Sequence, residues 1–338
     1  MRSDRLKLPF WDFHNSDQPG GISQPFGFVR RPLLWDFSKM GVMPSWLIHN
    51  GFTVTDGEAH ANPSLGSELI VNTDAESGVS PWIAVGAGAD ITTDADAHGG
   101  AAAFKVTRGQ YNSAARPNPD AEITGGAIIQ LTGWCKRSTG ADRVGLSLYD
   151  GVTSSRDGWA SDGSSYEQVS VFKITSASAT YARPYMMVGN DSGDVGLFDD
   201  LSMKQITTAD CFALVKRKNV SSVKSVATSY GGGFAAVVAY IDDRINPQNG
   251  LMALYDRPQG AVVFRQLLNG DLLTLVGVVK AYVPGAAIEI RRVGADSYAV
   301  FYDDEQVGAN QTVSGLTGEW AGLFSTDPLS KFADLEIR

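Results

Sequence analysis

The sequence predicts an all-β protein built as two β-sandwiches behind an extended N-terminal arm. Three observations predict it. The chain writes one closing strand twice, as Phe198-Asp199-Asp200-Leu201-Ser202-Met203 and as Phe332-Ala333-Asp334-Leu335-Glu336-Ile337, both of the form Phe-x-Asp-Leu-x-apolar. Each copy closes a long series of short alternating segments broken by Gly, Asn and Asp, the pattern of sandwich strands. Finally, 37 glycines and a charged fraction of 19% suit frequent tight turns, and long helix-period runs are missing.

Taken in order, residues 1–33 hold Pro9, Pro19, Pro25 and Pro32 among Phe10, Trp11, Phe13, Phe26 and Phe28. Prolines so spaced favour an extended path, and aromatics on such a path need a surface to lie against. Two readings stand: a tail folded over its own domain, or an arm docked on a neighbouring subunit. From Trp35 to Pro63 come short strands that turn at Thr55-Asp56-Gly57, a hairpin signal. Residues 67–206 then carry eight strand-sized pieces, from Glu68–Val71 to Val195–Lys204, the count of a jelly roll. Beyond Asp210, Val262–Leu268 and Leu272–Val276 flank Asn269-Gly270-Asp271, and Ala287–Val293 pairs with Tyr298–Tyr302 before the acidic tip Asp303-Asp304-Glu305.

Composition narrows the partners. A formal net charge of -9 over 338 residues repels a phosphate backbone or an anionic membrane, so nucleic acid is excluded as a partner class. Apolar runs such as Phe234–Ile241 and Leu272–Val279 are too short to span a bilayer, so no membrane insertion is expected. No export signal is expected, since Asp4 and Pro9 stand where an apolar stretch would be needed. Cys135 and Cys211, with no Cys-x-x-Cys, read as buried small hydrophobes.

Five blocks in order, namely Glu68 to Gly78, Trp82, Gly99 to Val106, Gly133 to Arg137 and Phe198 to Leu201, resemble the jelly-roll carbohydrate-binding modules found beside xylanases and cellulases. That family usually opens on Asn-Gly-Asp-Phe-Glu, where this chain has Thr73 and Ala75 in place of the glycine and the aromatic. Residues Phe212 to Arg338 look like concanavalin-type, laminin-G-like sandwiches, through Asn249 to Ala253, the Ile288-Glu289-Ile290 and Val300-Phe301-Tyr302 pairing, and the Phe-x-Asp-Leu ending. Such domains open with a Trp, a strand and Asp-Gly-x-Ala, present at Trp46 and Asp56 to Ala59. The resemblance therefore implies a discontinuous sandwich of residues 34–66 and 207–338 interrupted by a jelly roll of 67–206; a tandem order is the alternative. Jelly rolls of that family often hold one structural Ca2+, which transfers to Asp74 or Glu76, to Asp200 and to backbone carbonyls near Gly99, a set of two carboxylates and a few carbonyls that suits calcium; the bland reading is that these acids are solvated turn residues.

Sugar recognition needs a flat aromatic with polar neighbours. Trp82 and Trp134 lie in alternating strands at positions the family uses for its core. Trp159 sits instead in a polar loop, Ser155 to Asp162, which makes it the stacking candidate, with Arg156, Asp157 and Asp162 as hydrogen-bonding partners; a loop tryptophan capping its own core or meeting a subunit is the competing reading. Enzyme readings lack support. His14, His49, His60 and His98 show no metal spacing, there is no Gly-x-Ser-x-Gly, and Ile288-Glu289-Ile290-Arg291 offers one acid where a retaining glycosidase needs two. The expectation is a non-enzymatic structural protein of a bacteriophage particle, a head decoration or tail-fibre component made in the host cytoplasm and carried on the virion surface. It would be a homo-oligomer, held to other virion proteins by residues 1–33 and able to touch cell-surface polysaccharide. The alternative is a bacterial glycan-binding accessory protein or a glycoside hydrolase.

Overall fold

A computed structural model describes residues 33–37, 43, 47–49, 51–56, 58–110, 113–153, 155–189, 191–229, 234–256, 260–326 and 329–338. The expected arm, residues 1–33, lies outside these but for its last residue, as does Trp46. The protein is all-β, with four antiparallel sheets arranged as two sandwiches.

The central sandwich comes from residues 65–206. One sheet runs Glu167–Ile174, Ile128–Arg137, Val195–Ile206, Ala103–Thr107, Asp90–Asp94, with Leu65–Glu68 also on Val195–Ile206; the other runs Arg156–Trp159, Val144–Tyr149, Tyr181–Val188, Ser113–Pro117, Trp82–Ala84. Its first and last strands are neighbours, Glu68 opposite Lys204 and Leu65 opposite Ile206. Strands on either side of this stretch pair with each other. Leu33–Asp36 lies on Asp334–Ile337, Ile48–His49 on Phe212–Lys216, and Glu58–Ala61 on Lys331–Phe332. They complete the nine- and seven-stranded sheets of a terminal sandwich.

Turn chemistry sets the registers. Asn269 and Gly270 take φ 52° and 84° between Leu268 and Asp271, which face each other. Asp303 and Asp304, at φ 53° and 63°, do the same between Tyr302 and Glu305. Both are two-residue turns of the primed kind that right-twisted strands require.

The repeated Phe-x-Asp-Leu ending has a packing reason. Residues three apart on a regular strand face opposite sides of the sheet, yet Phe198 and Leu201 both enter the central core, and Phe332 and Leu335 both enter the terminal one. An extra residue must therefore be absorbed in between. In the first copy Asp200 and Leu201 together oppose Gly133, where the pairing steps from Thr132–Ser202 to Trp134–Asp199, and Asp200 takes φ 47°, a bulge. In the second the strand breaks at Ala333, between Lys331–Phe332 and Asp334–Ile337.

A third apolar cluster joins the sandwiches. Every residue of Ala235–Ile241 is buried: Ala235, Val237 and Ala239 face the terminal core, while Ala236 and Val238 meet Ile128, Phe172 and Ile206 of the central sandwich. Burial on both faces is why this strand reads as an unbroken apolar run. Among the described residues no helix is long and apolar enough to cross a membrane.

Candidate functional site

The stretch carrying Trp159 is an edge strand, Arg156–Trp159, where a loop was expected. Its pairing partner explains the difference. Gly145 lies opposite Trp159, and Ser147 opposite Asp157, where the buried Ser147 hydroxyl donates to Asp157 Oδ1 at 2.6 Å. Strand geometry then separates the proposed sugar ligands, because positions 156 and 159 face opposite sides. Arg156 leaves the central sandwich and holds Asp256 of the terminal one at 2.6 Å, whereas the Trp159 ring lies 4.3 Å from the guanidinium of Arg143. Asp162 accepts from Arg137 at 2.7 Å. Trp159, Arg156, Asp157 and Asp162 therefore do not converge on one ligand.

The three acids expected to hold Ca2+ are placed as follows. Glu76 and Asp200 both reach the loop before Ala103–Thr107, but what Glu76 meets there is N–H: its Oε1 accepts from Ala101 and Ala102 at 2.6 and 2.9 Å. Asp200 faces His98 Nδ1 at 2.9 Å, and Asp74 Oδ1 accepts the Glu76 amide in its own turn. Calcium needs six to eight oxygens, and among the described residues no three His, Cys, Asp or Glu gather to hold a metal. Asp94 is paired with Lys105 at 3.1 Å.

The same loop carries a different site. Asp199, fully buried, accepts the amides of His98 at 2.8 Å and Gly99 at 3.0 Å on Oδ2 and that of Asp200 at 2.9 Å on Oδ1. Burial pushes its carboxyl above the ordinary aspartate range, against the pull of those amides. With Glu76 it clamps the backbone from His98 to Ala102 onto the sheet. The clamp sets the His98 ring flat on Trp134, centroids 3.8 Å apart and planes 13° from parallel, with Tyr166 edge-on at 5.7 Å. Lys136 lies 5.5 Å from the Tyr166 ring and pairs with Asp96 at 2.7 Å, while the Tyr166 hydroxyl donates to the Asp96 carbonyl. Burial and the neighbouring Asp96 push the Tyr166 phenol upward, so it stays a donor.

Trp134 is therefore not a core residue, as the family resemblance had implied; it is half-buried on the outward face, whereas Trp82 is buried against Phe104 at 5.4 Å. The signal was in the alternation: Ile129, Leu131 and Cys135 form the inward set of Ile128–Arg137, which turns the tryptophan between them outward. No sequence signal placed His98 over it, since that contact depends on Asp199, 101 positions away in the chain. Close by, Glu167 accepts the amides of Ser161 and Asp162 at 2.9 and 2.8 Å and that of Gly163, which draws its carboxyl down to about 2 and pins the next loop. The assembled feature is a ledge of three stacked or edge-on rings, rimmed by charged and hydrogen-bonding groups.

This is the layout of a binding surface on a β-sandwich, with aromatic faces for apolar contact and polar groups for direction. No family model and no curated protein matches the sequence. Among solved structures, the chain is similar to the N-terminal tandem of family 22 carbohydrate-binding modules of Xyn10C from Paenibacillus barcinonensis, at 10% identity over 82% of this chain and 99% of that one, TM-score 0.35. It is similar also to TmCBM61, solved with beta-1,4-galactotriose, at 17% identity over 41% and 99%, TM-score 0.33. A third is the Caenorhabditis elegans galectin LEC-6, at 14% identity over 37% and 89%, TM-score 0.29. Likeness of that degree does not extend to a ligand.

Proposed function

We propose that the protein is a non-catalytic, glycan-binding structural protein of a bacteriophage particle, and that the ledge of His98, Trp134 and Tyr166 is where the sugar lies. The observation that carries the glycan half is the His98–Trp134 stack at 3.8 Å, half-exposed and edged by Tyr166. A pyranose offers a CH face to such rings and hydroxyls to their rim, and here Lys136, Asp96 and Asp200 supply both donors and acceptors. The non-catalytic reading is supported by Glu289, the one acid on the strand where a second would be needed for glycoside hydrolysis. It is held by Arg291 through two hydrogen bonds of 2.7 and 3.0 Å.

Glycan-array retention followed by titration calorimetry tests the ledge. Trp134→Ala is expected to weaken retention at least tenfold, a loss of about 1.4 kcal/mol or more, while Trp159→Ala leaves it unchanged. Equal retention by Trp134→Ala and the unaltered protein, or oligosaccharide released from the bound polysaccharide, would refute the reading. The virion half is supported by the acidic body and by the proline-spaced aromatics of residues 1–33. Deleting residues 1–33 is expected to abolish incorporation into particles while the remaining chain keeps its β-type circular dichroism. Undiminished incorporation would leave the docking arm without a role.

A further inference from the structure

Between the two sandwiches lies a cleft of about 210 Å³, far above the ~10–15 Å³ that admits a single water. Three cations line it: Arg156 and Lys173 from the central sandwich and Arg265 from the terminal one. Their side chains are 16%, 4% and 12% exposed. Both guanidinia stand over one ring, Phe234, at 4.9 and 5.5 Å, so two like charges share a single aromatic ring.

The acids nearby are already engaged. Asp256 receives Arg156 through two hydrogen bonds, at 2.6 and 3.3 Å, and meets Arg265 only at 3.6 Å. Asp150 accepts the amides of Val152, Thr153 and Ser176 and the Thr153 hydroxyl, with Lys173 3.6 Å away. Asp271 accepts the amide of Ala177. Arg265 is left short: its Nε is buried with no hydrogen-bond partner among the described residues. Burial, with Arg156 beside it, pushes its guanidinium down to about 10. Burial is also the main cause of the lowered Lys173 ammonium, to which Arg156 and Arg265 add. A buried donor left unmatched costs about 1–3 kcal/mol, more when charged.

We propose that this cleft binds a small oxyanion, a carboxylate, sulfate or phosphate group, whose oxygens take the unmatched Arg265 Nε–H and the inward edges of Arg156 and Lys173. A planar guanidinium suits such groups because its parallel N–H bonds match two oxygens at once. The site is separate from the aromatic ledge and does not depend on it. Because the ligand touches both sandwiches, it stabilises their docking, and folding stability rises with its concentration.

Titration calorimetry and thermal melts of the full chain, with ionic strength held constant by sodium chloride, use sodium sulfate, sodium phosphate and sodium D-glucuronate, with D-glucose as the uncharged match. Saturable heat and a raised melting temperature are expected for the anions and not for glucose. Sulfate or phosphate binding above glucuronate identifies a free inorganic oxyanion as the occupant; glucuronate binding more tightly identifies an acidic sugar. Arg265→Gln is expected to weaken binding about tenfold or more, and Arg265→Lys, which keeps the charge without the fork, to fall between. The lysine variant decides the matter should the glutamine variant fail to fold. No saturable binding of any of the three anions, or affinity equal in wild type and in whichever variant folds, would overturn the proposal.

Discussion

Asp256→Ala is expected to destabilise the protein by about 3–5 kcal/mol, the cost of removing one partner from a buried ion pair. The carboxylate is fully buried and stands opposite two guanidinia on different sandwiches, Arg156 at 2.6 Å and Arg265 at 3.6 Å. Without it, two positive charges remain beside the Phe234 ring with their shared acid removed. The loss comes mainly from those uncompensated charges and only in small part from the attraction itself, since desolvation offsets much of a buried pair's Coulombic gain. Urea denaturation measures it as a lowered midpoint at unchanged slope. A loss under about 1 kcal/mol, the range of exposed pairs, would show that water reaches the pair freely. The same variant bears on the cleft: an oxyanion seated there supplies the missing negative charge, so sulfate should restore more stability to Asp256→Ala than it adds to the unaltered protein.

Phe324→Ala is expected to cost about 3–5 kcal/mol, the usual range for deleting a fully buried aromatic ring. Phe324 has no exposed surface. It lies opposite Phe212 and Ala236 in the seven-stranded sheet, with its ring 4.7 Å from that of Phe212, inside the cluster that joins the sandwiches. Close packing leaves little room for neighbours to collapse into the void, and the neighbours here are paired strands held by backbone hydrogen bonds. Because the cavity opens in the joint, the two sandwiches should lose cooperativity: calorimetric melting is expected to split or broaden, where the same truncation inside one core would only lower the midpoint. A single sharp transition shifted by less than about 1 kcal/mol would mean that the joint contributes little to folding.

Fold class was legible in the sequence because strand signals are local. Alternation, Asn-Gly and Asp-Asp turns, and the repeated Phe-x-Asp-Leu ending each follow from the steric preferences of a few adjacent residues. The inward set Ile129, Leu131 and Cys135 even marks Trp134 as outward, so half of the aromatic ledge was written in its own strand. The other half was not. His98 reaches Trp134 only because Asp199 holds its backbone, and Arg156 leaves its neighbour Trp159 for an aspartate 100 positions away.

What the sequence determined by itself was most of the strands and their turns, since these depend on period and on backbone conformations that neighbouring side chains impose; the edge strand Arg156–Trp159 needed its pairing partner. What the tertiary structure alone decided was which polar groups meet. Asp199 became a clamp on the loop, and Arg265 became a buried cation short of a partner, because sheets brought together by apolar contact fix the positions of charges that never contributed to the pattern. Burial then changes what those charges do, as an aspartate or arginine that water would satisfy at the surface must find its partner within the fold or in a ligand.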